Sequence, residues 1–444
     1  MLETLRKLIK GKKVLVLGFG REGKSTLQMI EKAGGFLAAA VSDKNPVEAG
    51  GVKVISGKHY LDVLDDYDVV FKSPGIVLPH PVSDYQCAIV SQTEVFFRRF
   101  KNQIIGITGT KGKSTTTTLL YHILKSGGFK TALAGNIGIP VFDIAESIDD
   151  DTKIVVELSC HQLEYMTVSP KIGVLMNIYE EHLDHYGTME KYVAAKENIY
   201  RNQVDGDILF CNEHHLPEEG ACRASVVSIG TEPTKADIAV GDSDIRFKGH
   251  TFHIPEHEMK LFGHHNYFDI AIVYGICREL GMSDEVFKEG LCSYEPLPHR
   301  LQYIGTVNDV RYYDDSISTI CETTIQALEG LKNVGSVLIG GMDRGIDYHD
   351  LEKYLDRSDV SYIILMADTG KRIYEEIGRD FPDFSRPERL VLVDTLWAAV
   401  EKAKELTKPG KCCVMSPAAA SYGIFKNFEE RGEVFTKYVL ENRR

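Results

Sequence analysis

The stretch Gly106-Ile-Thr-Gly-Thr-Lys-Gly-Lys-Ser-Thr115 is a glycine-rich loop ending in Gly-Lys-Ser. It follows apolar Ile104 and Ile105 and precedes Leu119, Leu120, Ile123 and Leu124, which is a strand, loop, helix context. Backbone N–H groups in such a loop wrap phosphate oxygens, and the helix N-terminus adds partial positive charge. Lys113 is placed to reach the outer phosphates and the Ser114 hydroxyl to ligate magnesium. The strict spacing is not met, because Ile107 stands where the first glycine belongs, and Gly106 and Gly109 make the loop a variant. The bland alternative is an ordinary glycine-rich turn, but Lys-Ser-Thr at a helix start is an unusual structural choice. The candidate ATP-binding residues here are Gly109, Thr110, Lys111, Gly112, Lys113, Ser114 and Thr115.

Three clusters downstream carry groups that such a loop needs. Glu157, in Val155-Val-Glu-Leu-Ser159, ends an apolar strand pattern where a magnesium ligand belongs. His182 follows a second strand end, in Asn177-Ile-Tyr-Glu-Glu-His-Leu-Asp-His185. Magnesium accepts an imidazole only as a minority partner, so His182 is a ligand candidate set against a hydrogen-bonded loop histidine. Lys196 lies in a helical stretch after Ala194 and Ala195, whose small side chains permit close approach. Taken alone, it reads as a solvated charge.

Near the N-terminus, Lys13-Val-Leu-Val-Leu-Gly18-Phe-Gly20-Arg-Glu-Gly23 carries G-x-G-x-x-G after a strand, with Asp43 at the end of the next strand pattern. This is the formal dinucleotide fingerprint. By itself it fits a nicotinamide cofactor, another nucleotide diphosphate, or a tight turn that binds nothing.

The positioning elements read as α/β throughout. Strands are expected at Ala38–Val41, from Val69 toward Ile76, at Ile154–Glu157 and Ile172–Asn177. Others are expected at Val337–Ile339, Tyr362–Leu365, Leu390–Val393 and Cys412–Met415, with helices between, the pattern of parallel sheets. With 444 residues the chain exceeds one core. Three units follow: 1–98, 99–297 and 298–444, the last break marked by Pro296 and Pro298. A net charge of −13 argues against a nucleic-acid surface. Apolar runs are too short for membrane insertion, and the N-terminus lacks a secretory apolar region. Nine cysteines without a C-x-x-C pair, including adjacent Cys412 and Cys413 in a strand pattern, read as reduced, mostly buried thiols of a cytoplasmic protein.

Together these residues resemble the Mur ligase family, the ATP-dependent amide-bond ligases of bacterial cell-wall synthesis. The resemblance runs over nearly the whole chain: residues 106–115, Gly135-Asn136-Ile-Gly138, Glu157-Leu-Ser159, Asn177 with His182-Leu-Asp184, Ala195-Lys196, Gly263–Asn266, Pro298-His299-Arg300, Asp314-Asp315-Ser316 and Ser416-Pro417. Gly340-Gly-Met-Asp-Arg-Gly345 and the run from Ser416 to Gly432 look like the members that add D-glutamate to UDP-N-acetylmuramoyl-L-alanine.

The resemblance implies a Rossmann-like UDP-sugar domain, a central phosphate-loop ATPase-like domain and a Rossmann-like C-terminal domain, in a cytoplasmic monomer. It implies catalysis through an acyl phosphate, with two magnesium ions held by Ser114, Glu157, His182 and a carbamylated Lys196. Gly18, Gly20, Asp43, Ser73, Pro74 and Gly75 would frame the uracil and diphosphate, and Asn136, Ser159 and His182 would line the rest of the UDP-sugar. Asn266, His299, Arg300 and Asp315 would contact ATP, and Thr319, Arg344, Ser421 and the Phe428 backbone would hold glutamate. Two departures stand out: Ile317 replaces a lysine that many members carry, and Asp269 stands where an asparagine is expected. Residue identities do not fix chirality, so a related ligase adding L-glutamate stays open at this point.

Overall fold

A computed structural model describes residues 1–441 other than 262, 265, 382 and 383. It contains three sheets. The first is wholly parallel, in order β3-β2-β1-β4-β5, with β1 (Lys13–Leu17), β2 (Ala38–Asp43), β3 (Lys53–Ser56), β4 (Val69–Lys72) and β5 (Ala88–Val90). Its order reverses between β1 and β4, and such a switch point is where open α/β sheets place ligands. The glycines after β1 and the Ser73-Pro-Gly turn after β4 both fall there.

The second sheet contains β6 (Ile104–Thr108), β7 (Thr131–Gly135), β8 (Lys153–Glu157), β9 (Ile172–Leu175), β10 (Ile208–Asn212), β11 (Ser225–Thr231), β12 (Ile238–Val240), β13 (Asp244–Phe247) and β14 (His250–His253). Its order is β14-β13-β12-β11-β10-β9-β6-β8-β7. It is parallel from β7 to β12 and turns antiparallel over β13 and β14. Strand β6 runs between β8 and β9, so three strand ends deliver the phosphate loop, Glu157 and Asn177 side by side.

The third sheet contains β15 (Gln302–Val307), β16 (Val310–Asp314), β17 (Val334–Gly340), β18 (Tyr362–Met366), β19 (Leu390–Val393) and β20 (Cys412–Met415), in order β15-β16-β20-β17-β18-β19. Only the β15–β16 pair is antiparallel. All strands anticipated from sequence are present, although β4 stops at Lys72 and β9 at Leu175, short of the expected ends.

The chain gathers into two compact units, Met1–Pro255 with Phe268–Leu291, and Glu256–Tyr267 with Cys292–Arg444. One apolar cluster joins the first two sheets, from Leu5 and Ile9 through Val95, Phe96 and Phe97 to Leu163 and Cys211. The boundary expected at 98 falls inside the helix Gln92–Phe100, whose Phe96, Phe97 and Phe100 belong to that cluster. The third sheet has a cluster on each face, one around Val337 and Ile363 and one around Leu338 and Phe435. All nine cysteines are free thiols, seven of them buried. Among the described residues, no helix is long and apolar enough to cross a membrane.

Candidate active site

The helix Lys113–Ser126 starts directly from the glycine-rich loop, with Gly112 at its N-cap in a left-handed conformation, φ 81°. That sign of φ suits a residue without Cβ, and a Cβ there would also press on the Met176 methyl and the Asp269 carboxylate. Asn177 braces the loop from β9: its Oδ1 accepts the Thr110 and Lys111 N–H groups at 3.0 and 2.8 Å, and its Nδ2 donates to the Lys111 carbonyl. The Thr110 hydroxyl meets the Tyr192 hydroxyl at 2.9 Å, and Lys111 pairs with Glu181 at 3.4 Å. Lys113 folds over the loop and donates to the Gly109 and Thr110 carbonyls, and burial lowers its pKa. Gly109 to Thr115 thus form one preorganised turn, with Ser114 in the first turn of the helix.

Glu157, at the end of β8, is 1% exposed. Asn136 donates to its Oε1 at 2.7 Å, while Oε2 is buried without a partner. A buried carboxylate oxygen left unpaired is costly unless a cation or donor meets it.

Lys196 overturns the solvated-charge reading. It is 1% exposed, donates to the Gly109 carbonyl at 2.7 Å, and lies over the Tyr192 ring, 4.8 Å from its centroid. Burial, then the nearby Lys113 charge, lowers its pKa from 10.5 to about 7. The helix Met189–Glu197 turns this side chain inward, and Ala195 packs in the cluster beneath Tyr192. His182 has φ 58° ahead of the short helix Leu183–Tyr186, and its ring keeps 42% exposure.

One cavity of about 300 Å³ is lined by Lys113, Asn136, Ser159, His182 and Lys196 from the second sheet and by Pro74 and Gly75 from the first. Arg21, which opens the helix Arg21–Ala33 after Gly20, donates to the Gly138 carbonyl at 2.7 Å and ties the two glycine turns together. Gly23 is needed for close approach, since a Cβ there would lie 2.0 Å from the Gly18 oxygen. Ser73 donates to that same Gly18 oxygen. Asp43 is occupied internally: its two oxygens accept the Phe19 and Asn45 N–H groups.

In the second unit, Arg344 donates to the Thr319 carbonyl at 2.7 Å. The bridge between Met342 and Ala420 brings Ser421 to the same loop. Phe428 opens the helix Phe428–Leu440, whose first N–H groups have no intrahelical acceptor. Its carbonyl accepts the Ser316 hydroxyl. His299 pairs with Asp314 at 2.7 Å, which raises its pKa. Asp315 is 2% exposed, accepts from the Leu301 N–H and the Ser416 hydroxyl, and burial pushes it up to about 6. The Nε of Arg300 is buried without a partner, and Asn266 opens the helix Asn266–Glu279.

Two arginines went unread in the sequence. Arg431 is 1% exposed and donates to the Ser316 and Ala419 carbonyls, fixing the 316 and 419 turns. Arg372 pairs with Asp343 at 3.0 Å and Glu376 at 2.9 Å, and lies over the Tyr348 ring. The Asp343 carboxylate also accepts the Gly345 N–H, so it shapes the turn that carries Arg344. The Arg372–Glu376 spacing of four marks a helix-face pair, but nothing in it points to Asp343.

The Mur ligase middle domain matches residues 107–277. A solved UDP-N-acetylmuramoylalanyl-D-glutamyl-2,6-diaminopimelate–D-alanyl-D-alanyl ligase from Acinetobacter baumannii has the same fold, with a TM-score of 0.62 at 16% identity over 99% of this chain and 98% of that one. UDP-N-acetylmuramoylalanine–D-glutamate ligase of Streptococcus agalactiae is 32% identical over 96% of both chains. The enzyme of that name from Geobacillus kaustophilus is 33% identical over 96% of this chain and 97% of its own. A third of the residues shared from end to end, on the fold and loop described above, means that the chain belongs to the Mur ligase family, among its UDP-N-acetylmuramoylalanine–D-glutamate ligases.

Proposed function

We propose that the protein joins D-glutamate to the alanyl carboxylate of UDP-N-acetylmuramoyl-L-alanine, consuming ATP and releasing ADP and phosphate, in the cytoplasmic synthesis of peptidoglycan precursors. One observation carries the reading beyond kinship. Lys113 of the phosphate loop and the buried amine of Lys196 line a cavity that the first sheet also lines, while the unpaired buried oxygen of Glu157 ends the strand next to the one that leads into the loop. A carboxylate is a poor acyl donor. Transfer of the γ-phosphoryl group makes an acyl phosphate: the bond to the β-phosphate breaks as a new one forms to the carboxylate oxygen. The glutamate amine then attacks the acyl carbon, loses a proton, and phosphate departs.

Such transfer depends on positioning and charge neutralisation. Lys113 and the N–H groups from Gly109 to Thr115 hold the β- and γ-phosphates. The residues fit magnesium, since Glu157 offers a buried, unpartnered oxygen and Ser114 a hydroxyl nearby on the loop helix. Ser114 and Glu157 would hold one ion, His182 and a carbamylated Lys196 a second, and the metal supplies neutralisation of phosphoryl charge. Carbamylation needs an uncharged amine, which burial of Lys196 favours.

Gly18, Gly20, Asp43, Ser73, Pro74 and Gly75 frame the uridine diphosphate, and Asn136, Ser159 and His182 line the path to the reacting carboxylate. Asn266, His299, Arg300 and Asp315 serve the nucleotide, and Thr319, Arg344, Ser421 and the Phe428 N–H serve glutamate. The working division is 1–98, 99–297 and 298–444, and the enzyme acts as a monomer.

The test measures phosphate release with UDP-N-acetylmuramoyl-L-alanine while D-glutamate, L-glutamate, D-aspartate and L-lysine are each offered. Release with D-glutamate alone is expected. Equal release with L-glutamate or L-lysine, or none with any amino acid, would overturn the assignment.

A further inference from the structure

Beside the hard oxygen donors of the cavity lies a different set. Cys160 and His161 open the short helix after Ser159, and His182 enters from the loop after β9. One ligand atom from each lies within 4.8 Å of the others. The Cys160 sulfur is 3.7 Å from His161 Nδ1, and Cys160 is 2% exposed. The His161 and His182 rings meet edge to face at 4.9 Å, and His161 meets His185 at 4.4 Å. Glu164 in turn pairs with His185 at 3.2 Å, a carboxylate behind an imidazole. A second observation marks the same spot. The Tyr186 ring stacks on His161, and its hydroxyl, on a residue 5% exposed, is buried against the Cys160 thiol.

Sulfur and imidazole are poor donors for magnesium and good ones for zinc, which takes three protein ligands and a water at about 2.0–2.3 Å. Ligands on such a centre stand about 3.3–3.8 Å apart, so these atoms have to close by about an ångström. The exposed His182 ring has room to make that movement, and its exposure gives a cation an entry path from solvent.

We propose that Cys160, His161 and His182 form a site for a borderline divalent cation, zinc above all, that shares His182 with the magnesium site. Binding converts the Cys160 thiol to thiolate, its proton leaving to solvent, while both imidazoles stay neutral. Since one His182 cannot serve both ions, zinc competes with magnesium and arrests ligation. Only this last consequence rests on the functional reading above; the site itself does not.

Cobalt(II) is the probe, because a thiolate ligand gives it a charge-transfer band in the near ultraviolet. The full-length protein should develop that band, zinc should abolish it at stoichiometric amounts, and magnesium should only lower the apparent affinity for cobalt, through the shared His182. Cys160→Ser should lack the band, and His161→Phe should weaken cobalt affinity by about tenfold or more. In turnover assays at saturating magnesium, zinc should inhibit the parent enzyme at concentrations about tenfold below those needed for Cys160→Ser. Absence of the band, or its survival in Cys160→Ser, would overturn the site whatever the reaction proves to be. Equal zinc sensitivity of the two proteins would overturn the competition. Failure of ligation with every acceptor, with the band intact, would count against the functional reading alone.

Discussion

The buried amine of Lys196 gives the sharpest quantitative test. With its pKa lowered from 10.5 to about 7, about half of the side chain is uncharged at pH 7, against a few parts in ten thousand for an ordinary lysine. The amine able to attack carbon dioxide is therefore enriched about a thousandfold. Below the pKa, forming a carbamate from the ammonium releases two protons; above it, forming one from the free amine releases one. At fixed dissolved carbon dioxide, the logarithm of carbamate over free lysine should rise with pH at a slope of about two, falling to about one near pH 7. Carbon-13 NMR with labelled carbon dioxide on the ligand-free enzyme reads that ratio directly. Lys113→Met removes the second cause of the shift and should move the break to higher pH. A slope of two persisting to pH 9, or no carbamate at all, would refute the reasoning. Stability provides a second reading of the same shift. In the unfolded chain Lys196 keeps its proton up to about 10.5, while the folded chain releases it near 7, so folding is penalised fully below pH 7 and the penalty fades as pH rises between the two values. Without carbon dioxide, Lys196→Met should therefore be more stable than the parent at pH 6–7 by a few kcal/mol, and the gain should shrink toward pH 10.

Three more outcomes are expected. Lys113→Ala should lose activity by on the order of a hundredfold or more while its circular dichroism and melting stay near the parent's, because it deletes charge at the transferring phosphoryl group. Arg344→Ala should raise the glutamate KM by roughly 10- to 100-fold with the KM values for ATP and UDP-sugar unchanged, and Arg344→Lys should keep part of the activity. Equal losses for all three substrates would assign Arg344 to the fold. Arg372→Ala frees Asp343 and with it the turn carrying Arg344, so the glutamate KM should rise about three- to tenfold with little change in kcat; a parallel fall in kcat and in affinity for every substrate would show a merely structural role.

What could be read from the sequence was local. A glycine turn between an apolar strand and a helix is encoded within about ten residues, so the phosphate loop, the first fingerprint and the strand before Glu157 were legible. Lys196 was misread because its burial comes from the Gly109 carbonyl and the Tyr192 ring, which chain spacing does not reveal. The Cys160, His161 and His182 group was invisible for a related reason. Its members follow β8 and β9, which flank β6 and converge only once the sheet is paired. Strands β13 and β14 escaped because Asp244–Phe247 and His250–His253 are short and polar, paired through a hairpin at a sheet edge. The break expected at 98 lies inside the helix Gln92–Phe100.

The cluster running from Leu5 through Phe96 and Phe97 to Leu163 and Cys211 also sets an order of assembly. As the chain leaves the ribosome, the first hundred residues carry half of a hydrophobic interface whose other half has not yet been translated. Aromatic side chains on the helix Gln92–Phe100 then wait, exposed, for the helix Val141–Ile144, about 40 to 50 residues downstream. The third sheet meets no such delay, because both its apolar faces are closed by helices of its own stretch of chain. Truncations and fusions should respect that asymmetry: cut after the first sheet and a sticky, half-built core remains, whereas a cut near Leu291 leaves the larger of the two compact units nearly whole.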